Sequence, residues 1–416
     1  MAEIKLFSLL ACLFIIGMAV TPGCFDISGP VPDNSVGSYL RQAHGAEGIG
    51  SYSSATSYYT KALEIEPSNA SALLGKSHAL IVRKQYTEAL DTSKKAQAAA
   101  PSSALPYIYE GVALDGLGRY QEAVKAFTTA LAIDPKLVYA KSLITAAIAR
   151  DELTRNPENA MAWYMAGSAY YILDQNGSYL QRNANTLYQD IAEQALKNAT
   201  RLNPENSVAW EELGTIYLKS FDYTDAAVSY RKSLALNPDN GEAWYGLAQT
   251  YRLNNQYQDE ITTIESGIAA VPDNPKLWLF RAHTYSSLYF SRQNNQTVNA
   301  GTYSALNFED EAIRSYEQAT LLDPANEGAW EDKARFLSST GRYEAAIAAW
   351  QGQLAHTRET SLGKANIYAD IGDAYYKLQK YPEAKSAYEE AVRLYPNHER
   401  AKDGRDKSAN PLMRVI

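Results

Sequence analysis

Residues 207–240 read SVAWEELGTIYLKSFDYTDAAVSYRKSLALNPDN, and this stretch decides the architecture. With Ser207 as position 1, Trp210, Leu213, Gly214 and Tyr217 fall at positions 4, 7, 8 and 11, one stripe of a 3.6-residue period. Ala226, Tyr230 and Ser233 fall at 20, 24 and 27, a stripe on a second helix. Phe221, Asp222 and Tyr223 form the turn between them. Pro238, at position 32, stops the second helix, because proline lacks an N–H and clashes with the preceding turn. The unit is therefore two antiparallel helices. Small residues at 8 and 20 let their axes approach, and the ring at 4 fills the space beside them. Neither helix buries its stripe alone, so each pair needs a neighbouring pair.

The same period runs outward in both directions. Pro67, Pro101 and Pro135 are 34 residues apart, as are Pro204, Pro238 and Pro272, and again Trp210, Trp244 and Trp278. Residues 241–274 repeat the pattern but carry Glu260 where a small residue is expected. Residues 70–103, 104–137, 327–360 and 365–398 fit it too, and in 36–69 only the second helix is clear. Trp163 and Trp210 lie 47 residues apart, and Trp278 and Trp330 lie 52 apart. The extra residues are expected between the helices of a pair, near 174–190 and 291–307. Between Pro135 and Pro157 there is room for one helix only, Leu137–Leu153, which reads first as a solvating cap that closes a three-repeat array and second as an odd helix inside one continuous solenoid. A final charged helix is expected near 397–407.

These residues resemble the tetratricopeptide repeat family. The resemblance implies an all-α fold, an α-solenoid of antiparallel helix pairs with about nine units wound as a right-handed superhelix. The expected division is a signal peptide or membrane anchor at 1–24 and a linker at 25–35. An N-terminal array at 36–157 and a C-terminal array at 158–408 follow, then a tail at 409–416.

Composition limits the function. The chain has 416 residues, too many for one ordinary core. Its 31 tyrosines against 9 phenylalanines suit a thin structure with many half-wet positions. The net charge is -8; residues 26–157 hold 13 acidic and 13 basic side chains, so the excess lies beyond them. A net acidic chain repels phosphate, which argues against nucleic acid as partner. Lys5 followed by an apolar run from Leu6 to Val20 reads as an export signal, too short to span a bilayer comfortably. The cysteines are Cys12 and Cys24. Cys24, after Gly23, resembles a lipid-acceptor cysteine, although Thr21 and Pro22 depart from the usual pattern. Lipidation at Cys24, cleavage elsewhere with secretion, and an uncleaved anchor all stay open. Each places the protein outside the cytoplasm.

No catalytic constellation, metal spacing or cofactor loop is present in the sequence. The histidines make no His-x3-His pair, and His44 and His78 read as polar residues facing a groove. Glu211 and Glu212 read as a solvated helix face. Asn69, Asn176, Asn198 and Asn295 begin Asn-x-Ser/Thr triplets, of which Asn176 and Asn295 lie in the polar insertions. The family resemblance implies that positions 2, 5, 9, 12 and 13 line a concave groove. They include Met161, Tyr164, Tyr171, Glu211, Tyr245, Gln249, Arg252, Leu279, His283, Glu331 and Arg335. Rings beside adaptable polar groups suit protein or peptide recognition. No unit pairs Lys at 5 with Asn at 9, which sets aside the chaperone-binding subtype. A non-catalytic envelope scaffold binding protein partners is the expected function. A carrier for an extended glycan or peptide is the second reading, and an enzyme with a site between repeats ranks last.

Overall fold

The computed structural model describes residues 34–175, 187–294, 305–358 and 360–409. Among the described residues twenty helices follow one another and no strand occurs. The chain divides into two compact units, Met1–Pro101 and Ser102–Ile416. The first holds α1 (Val36–Gly48), α2 (Tyr52–Ile65), α3 (Ala70–Val82) and α4 (Tyr86–Ala99). The second opens with α5 (Leu105–Gly116), α6 (Tyr120–Ile133), α7 (Val138–Arg155), α8 (Ala160–Gln175), α9 (Leu187–Leu202), α10 (Ser207–Lys219) and α11 (Tyr223–Leu236). It continues with α12 (Gly241–Leu253), α13 (Tyr257–Ala270), α14 (Pro275–Gln293), α15 (Phe308–Leu322), α16 (Glu327–Ser339) and α17 (Tyr343–His356). It ends with α18 (Ser361–Lys377), α19 (Tyr381–Leu394) and α20 (Glu399–Ala409). Helices pack in sequence as pairs, α1 with α2 through α18 with α19, so each unit is a solenoidal array of the expected kind.

Local chemistry explains the repeat. Asn69, Asn159, Asn206, Asn240 and Asn326 each accept a backbone N–H three residues on, at 3.0–3.1 Å, which starts the first helix of a pair. Position 15 ends that helix in the left-handed region. Gly50, Gly118 and Gly341 occupy it in three units, and Lys84, Phe221, Asn255 and Gln379 take it with φ of 57–61° in four others. The chain then closes back: the Asp222 N–H donates to the Tyr217 carbonyl at 2.9 Å. Trp163, Trp210, Trp244, Trp278 and Trp330 each donate Nε1–H to the carbonyl of the proline six residues earlier, at 2.7–3.0 Å. The shared period of tryptophan and proline is thus one hydrogen bond, which fixes how the chain enters each new pair.

Stacking of successive pairs rests on a ring held between two helices. Tyr230 lies against Gly214 of its own pair and Gly246 of the next. A Cβ at those glycines would come to 3.0 and 2.4 Å from its ring. Tyr388 repeats the device between Gly372 and Gly404, and so ties α20 to the array. Buried Ala401, Gly404 and Ser408 give the charged final helix one packed face.

The unpaired helix α7 is not a solvating cap. It packs on both α6 and α8 and buries Ala140, Leu143, Ala146, Ala147 and Ala149. Its Arg150 pairs with Asp115 of α5 and reaches the Tyr170 hydroxyl of α8 at 3.3 Å. The compact units accordingly part after Pro101 rather than after residue 157. The longer helices α8 and α14 end at Gln175 and Gln293, and their partners begin at Leu187 and Phe308. Asn176 and Asn295, the N-terminal segment with Cys24 and the tail lie outside the described residues. No helix among the described residues is long and apolar enough to cross a membrane.

Candidate functional site

In the second unit the first helices of successive pairs pack on one another, α8 on α10, α10 on α12 and α12 on α14. Of the sequence-predicted groove residues, Tyr164, Tyr171, Glu211, Tyr245, Gln249, Arg252, Leu279 and His283 lie on these four helices and are half-buried. At the α8–α10 seam the Ser168 hydroxyl donates to Glu212 Oε1 at 2.8 Å. Glu212 is 8% exposed, so the expectation of a solvated Glu211–Glu212 pair fails for its second member. Adjacent helical residues diverge by about 100°, so Glu211 turns toward the start of α12 while Glu212 turns toward α8. Glu211 accepts from Asn240 at 2.8 Å. Tyr164 and Tyr171 flank the same carboxyls. Burial, with a smaller contribution from the negative charge of Glu212 and Glu211, raises both phenol pKa values. The Thr215 hydroxyl stands 2.9 Å from that of Tyr230.

Burial pushes the Glu212 carboxyl up to about 7, the Ser168 hydrogen bond opposes it, and Glu211 adds to the rise. Its folded pKa thus lies above its ordinary value of 4.5. The stability it contributes as the neutral acid is complete below about pH 4.5 and is lost as pH rises through about 7. Glu212→Gln is therefore expected to exceed the parent in stability by about 3 kcal/mol at pH 8, and to match it near pH 4.5. Urea midpoints at the two pH values measure this; an equal gap at both would contradict it.

At the α12–α14 seam the predicted residues have other employment. Tyr245 packs edge-on against Phe280, ring centres 5.1 Å apart, and the Arg252 guanidinium lies 3.8 Å over the same ring. Arg252 also donates to Glu260 Oε1 from Nε at 2.9 Å and from Nη2 at 2.7 Å, and it bonds Thr284. Thr284 in turn donates to the same carboxyl oxygen at 2.8 Å. Glu260 is 1% exposed, so the irregular residue of this unit is the buried anchor of Arg252. The reading of Arg252 as a groove contact is corrected to that extent: its charge is spent inside the array. His283 bonds Asp332 of α16 at 2.8 Å and meets the Tyr316 ring edge-on. Arg252 and His283 share the wall of a pocket of about 320 Å³ with Tyr257, Thr284, Ser287 and Ser291. Gln249 is half-buried on α12, and exposed Arg335 pairs with Glu331 one turn back at 2.5 Å.

In the first unit His78 bonds Glu47 at 3.0 Å and His44 lies edge-on to Tyr59, so both histidines are packed rather than paired with each other. No cluster of three or more metal-ligating side chains occurs among the described residues. Glu212, Ser168, Thr284 and Asp332 were missed by sequence reasoning. Position 6 gave no usable signal, since it holds Gly75, Met165, Gly246 and Phe280 in four units but Asp332 and Asp370 in two others.

Comparison with known proteins agrees with this geometry. Models described as tetratricopeptide repeat match residues 40–104, 104–137, 190–234, 217–283 and 327–397. The chain belongs to the tetratricopeptide repeat family. It is 37% identical over 97 residues to tetratricopeptide repeat protein 28 of Mus musculus, covering 23% of this chain and 4% of that one. It is 30% identical over 124 residues to the protein STIP1 homolog of Dictyostelium discoideum, covering 30% of this chain and 22% of that one. The chain thus spans only a small part of these relatives. Among solved structures, a tetratricopeptide repeat protein from Parabacteroides merdae aligns with 74% of this chain and 99% of its own, at 16% identity and a TM-score of 0.36.

Proposed function

We propose that this protein is a non-catalytic scaffold of the cell envelope, held outside the cytoplasm by its N-terminal segment, which binds partner proteins or peptides along the first helices of its pairs. The observation that carries the reading is the row of half-buried side chains at the seams, among them Tyr164, Tyr171, Tyr245, Gln249 and His283. Rigid rings with one wet edge give contact area at little entropic cost, and polar neighbours supply directional bonds. Repeat arrays commonly use such a face.

The test is affinity capture of the full-length chain from its own membranes, with Tyr164→Ala/Gln249→Ala as the paired control. A protein partner held by the parent is expected to bind the double variant at least about tenfold more weakly, with helix content unchanged. Equal retention by both would move binding off this face. Recovery of saccharide without protein would favour the carrier reading instead. For the tether, a native N-terminal mass spectrum is expected to show acylated Cys24, and an unmodified cysteine there would remove lipidation.

A further inference from the structure

The two oxygens of Glu212 are used unequally. Oε1 accepts from Ser168 at 2.8 Å, whereas Oε2 is buried with no hydrogen-bond partner among the described residues. A buried carboxyl oxygen left unmatched is destabilising, so the site gains whenever a donor reaches it. Among the described residues no cation acts on this carboxyl. The groups that do are burial, the Ser168 hydroxyl from α8 and Glu211 beside it on α10. The phenols of Tyr164 and Tyr171 on α8 feel its negative charge, and Tyr171 also feels Glu211 and, from α12, Glu242. Lys197 of α9 is engaged by Glu193 at 2.6 Å and lies 5.4 Å from the centre of the Tyr217 ring.

We propose that the α8–α10 seam is a lysine-binding site, in which Glu212 Oε2 receives the ammonium of an extended partner segment between Tyr164 and Tyr171. The inference rests on the scaffold reading above and names the partner's chemistry. The acid defines the ligand's sign: a carboxylate set among phenol hydroxyls and beside a second carboxylate attracts a positive charge. An ammonium fits better than a guanidinium. The arginine fork seeks both oxygens of a carboxylate, and here Ser168 holds one of them. A single oxygen suits a compact point charge with rotatable donors. Bound there, the ammonium pairs the orphan oxygen and offsets the repulsion between Glu212 and Glu211.

Fluorescence anisotropy of the full-length chain tests this with two labelled dodecapeptides, a Gly/Ser chain carrying four lysines and the same chain carrying four norleucines. The lysine peptide is expected to bind at least about tenfold more tightly. Glu212→Gln is expected to erase that preference, while Glu64→Gln, an equal charge change on exposed α2, leaves it within about twofold. Because the cation binds the ionised acid, parent affinity should also rise about tenfold from pH 6 to pH 8, and stay flat in Glu212→Gln. Unfolding does not account for a loss in Glu212→Gln, since that variant is expected to be the more stable protein. Equal affinity for the two peptides, binding of neither, or equal losses in Glu212→Gln and Glu64→Gln would each overturn the proposal. The scaffold reading would survive those results, because it stands or falls on the captured native partner and Tyr164→Ala/Gln249→Ala.

Discussion

Tyr230→Ala is expected to remove about 3–5 kcal/mol of stability, the loss seen when a large buried ring is truncated. The ring is fully enclosed, and it does more than fill its own pair. It touches Gly214 of α10 and Gly246 of α12, so it is the physical joint between two repeats. Tyr230→Phe keeps the joint and gives up only the hydroxyl contact with Thr215, an expected loss of about 1 kcal/mol. The reverse substitution should be as severe as the first. Gly246→Leu would drive a side chain into the ring, whose nearest atom would lie 2.4 Å from the new Cβ. In an array whose stability is a sum of repeats and their interfaces, damage at one joint weakens cooperation across it. Urea unfolding of Tyr230→Ala should therefore broaden or split, as well as shift. A single sharp transition less than about 1 kcal/mol from the parent would show that the joint lies elsewhere.

The features legible in the sequence are those fixed by local geometry and repeated many times. Proline at 32, tryptophan at 4, a small residue at 8 and a turn near 15 recur because each unit solves the same packing problem. Trp210 and Pro204 reveal their period separately; that they share a hydrogen bond emerges only when the chain is folded. Features that depend on the neighbouring pair stayed hidden. Glu212 looked like half of a surface pair because adjacency along the chain says nothing about which of two acids meets the preceding helix. The single helix α7 looked like an end because 22 residues hold one helix, yet its alanines serve two neighbours. Glu260 was visible as an exception at position 20. Its partners were not, since Arg252 reaches it across the turn and Thr284 from the next pair.

That exception yields the second large effect. Arg252→Leu would leave a carboxylate 1% exposed with only the Thr284 hydroxyl to hold it. Removing one partner of a buried ion pair typically costs about 3–5 kcal/mol, because the remaining charge is uncompensated. Replacing both partners is a different experiment. Arg252→Leu/Glu260→Ala restores the small residue that Ala89, Ala123, Ala226, Ala346 and Ala384 supply at the same position of other units. Its stability is expected to return to within about 1 kcal/mol of the parent, as when a buried pair gives way to apolar packing. A double-mutant cycle from urea titrations measures the coupling directly; single losses that merely add would mean that Arg252 and Glu260 do not act as a pair. The same double variant separates structure from recognition. If Arg252 serves the array alone, the stable double variant should keep its native partner at parental affinity. Loss of that partner without loss of stability would return Arg252 to the binding face.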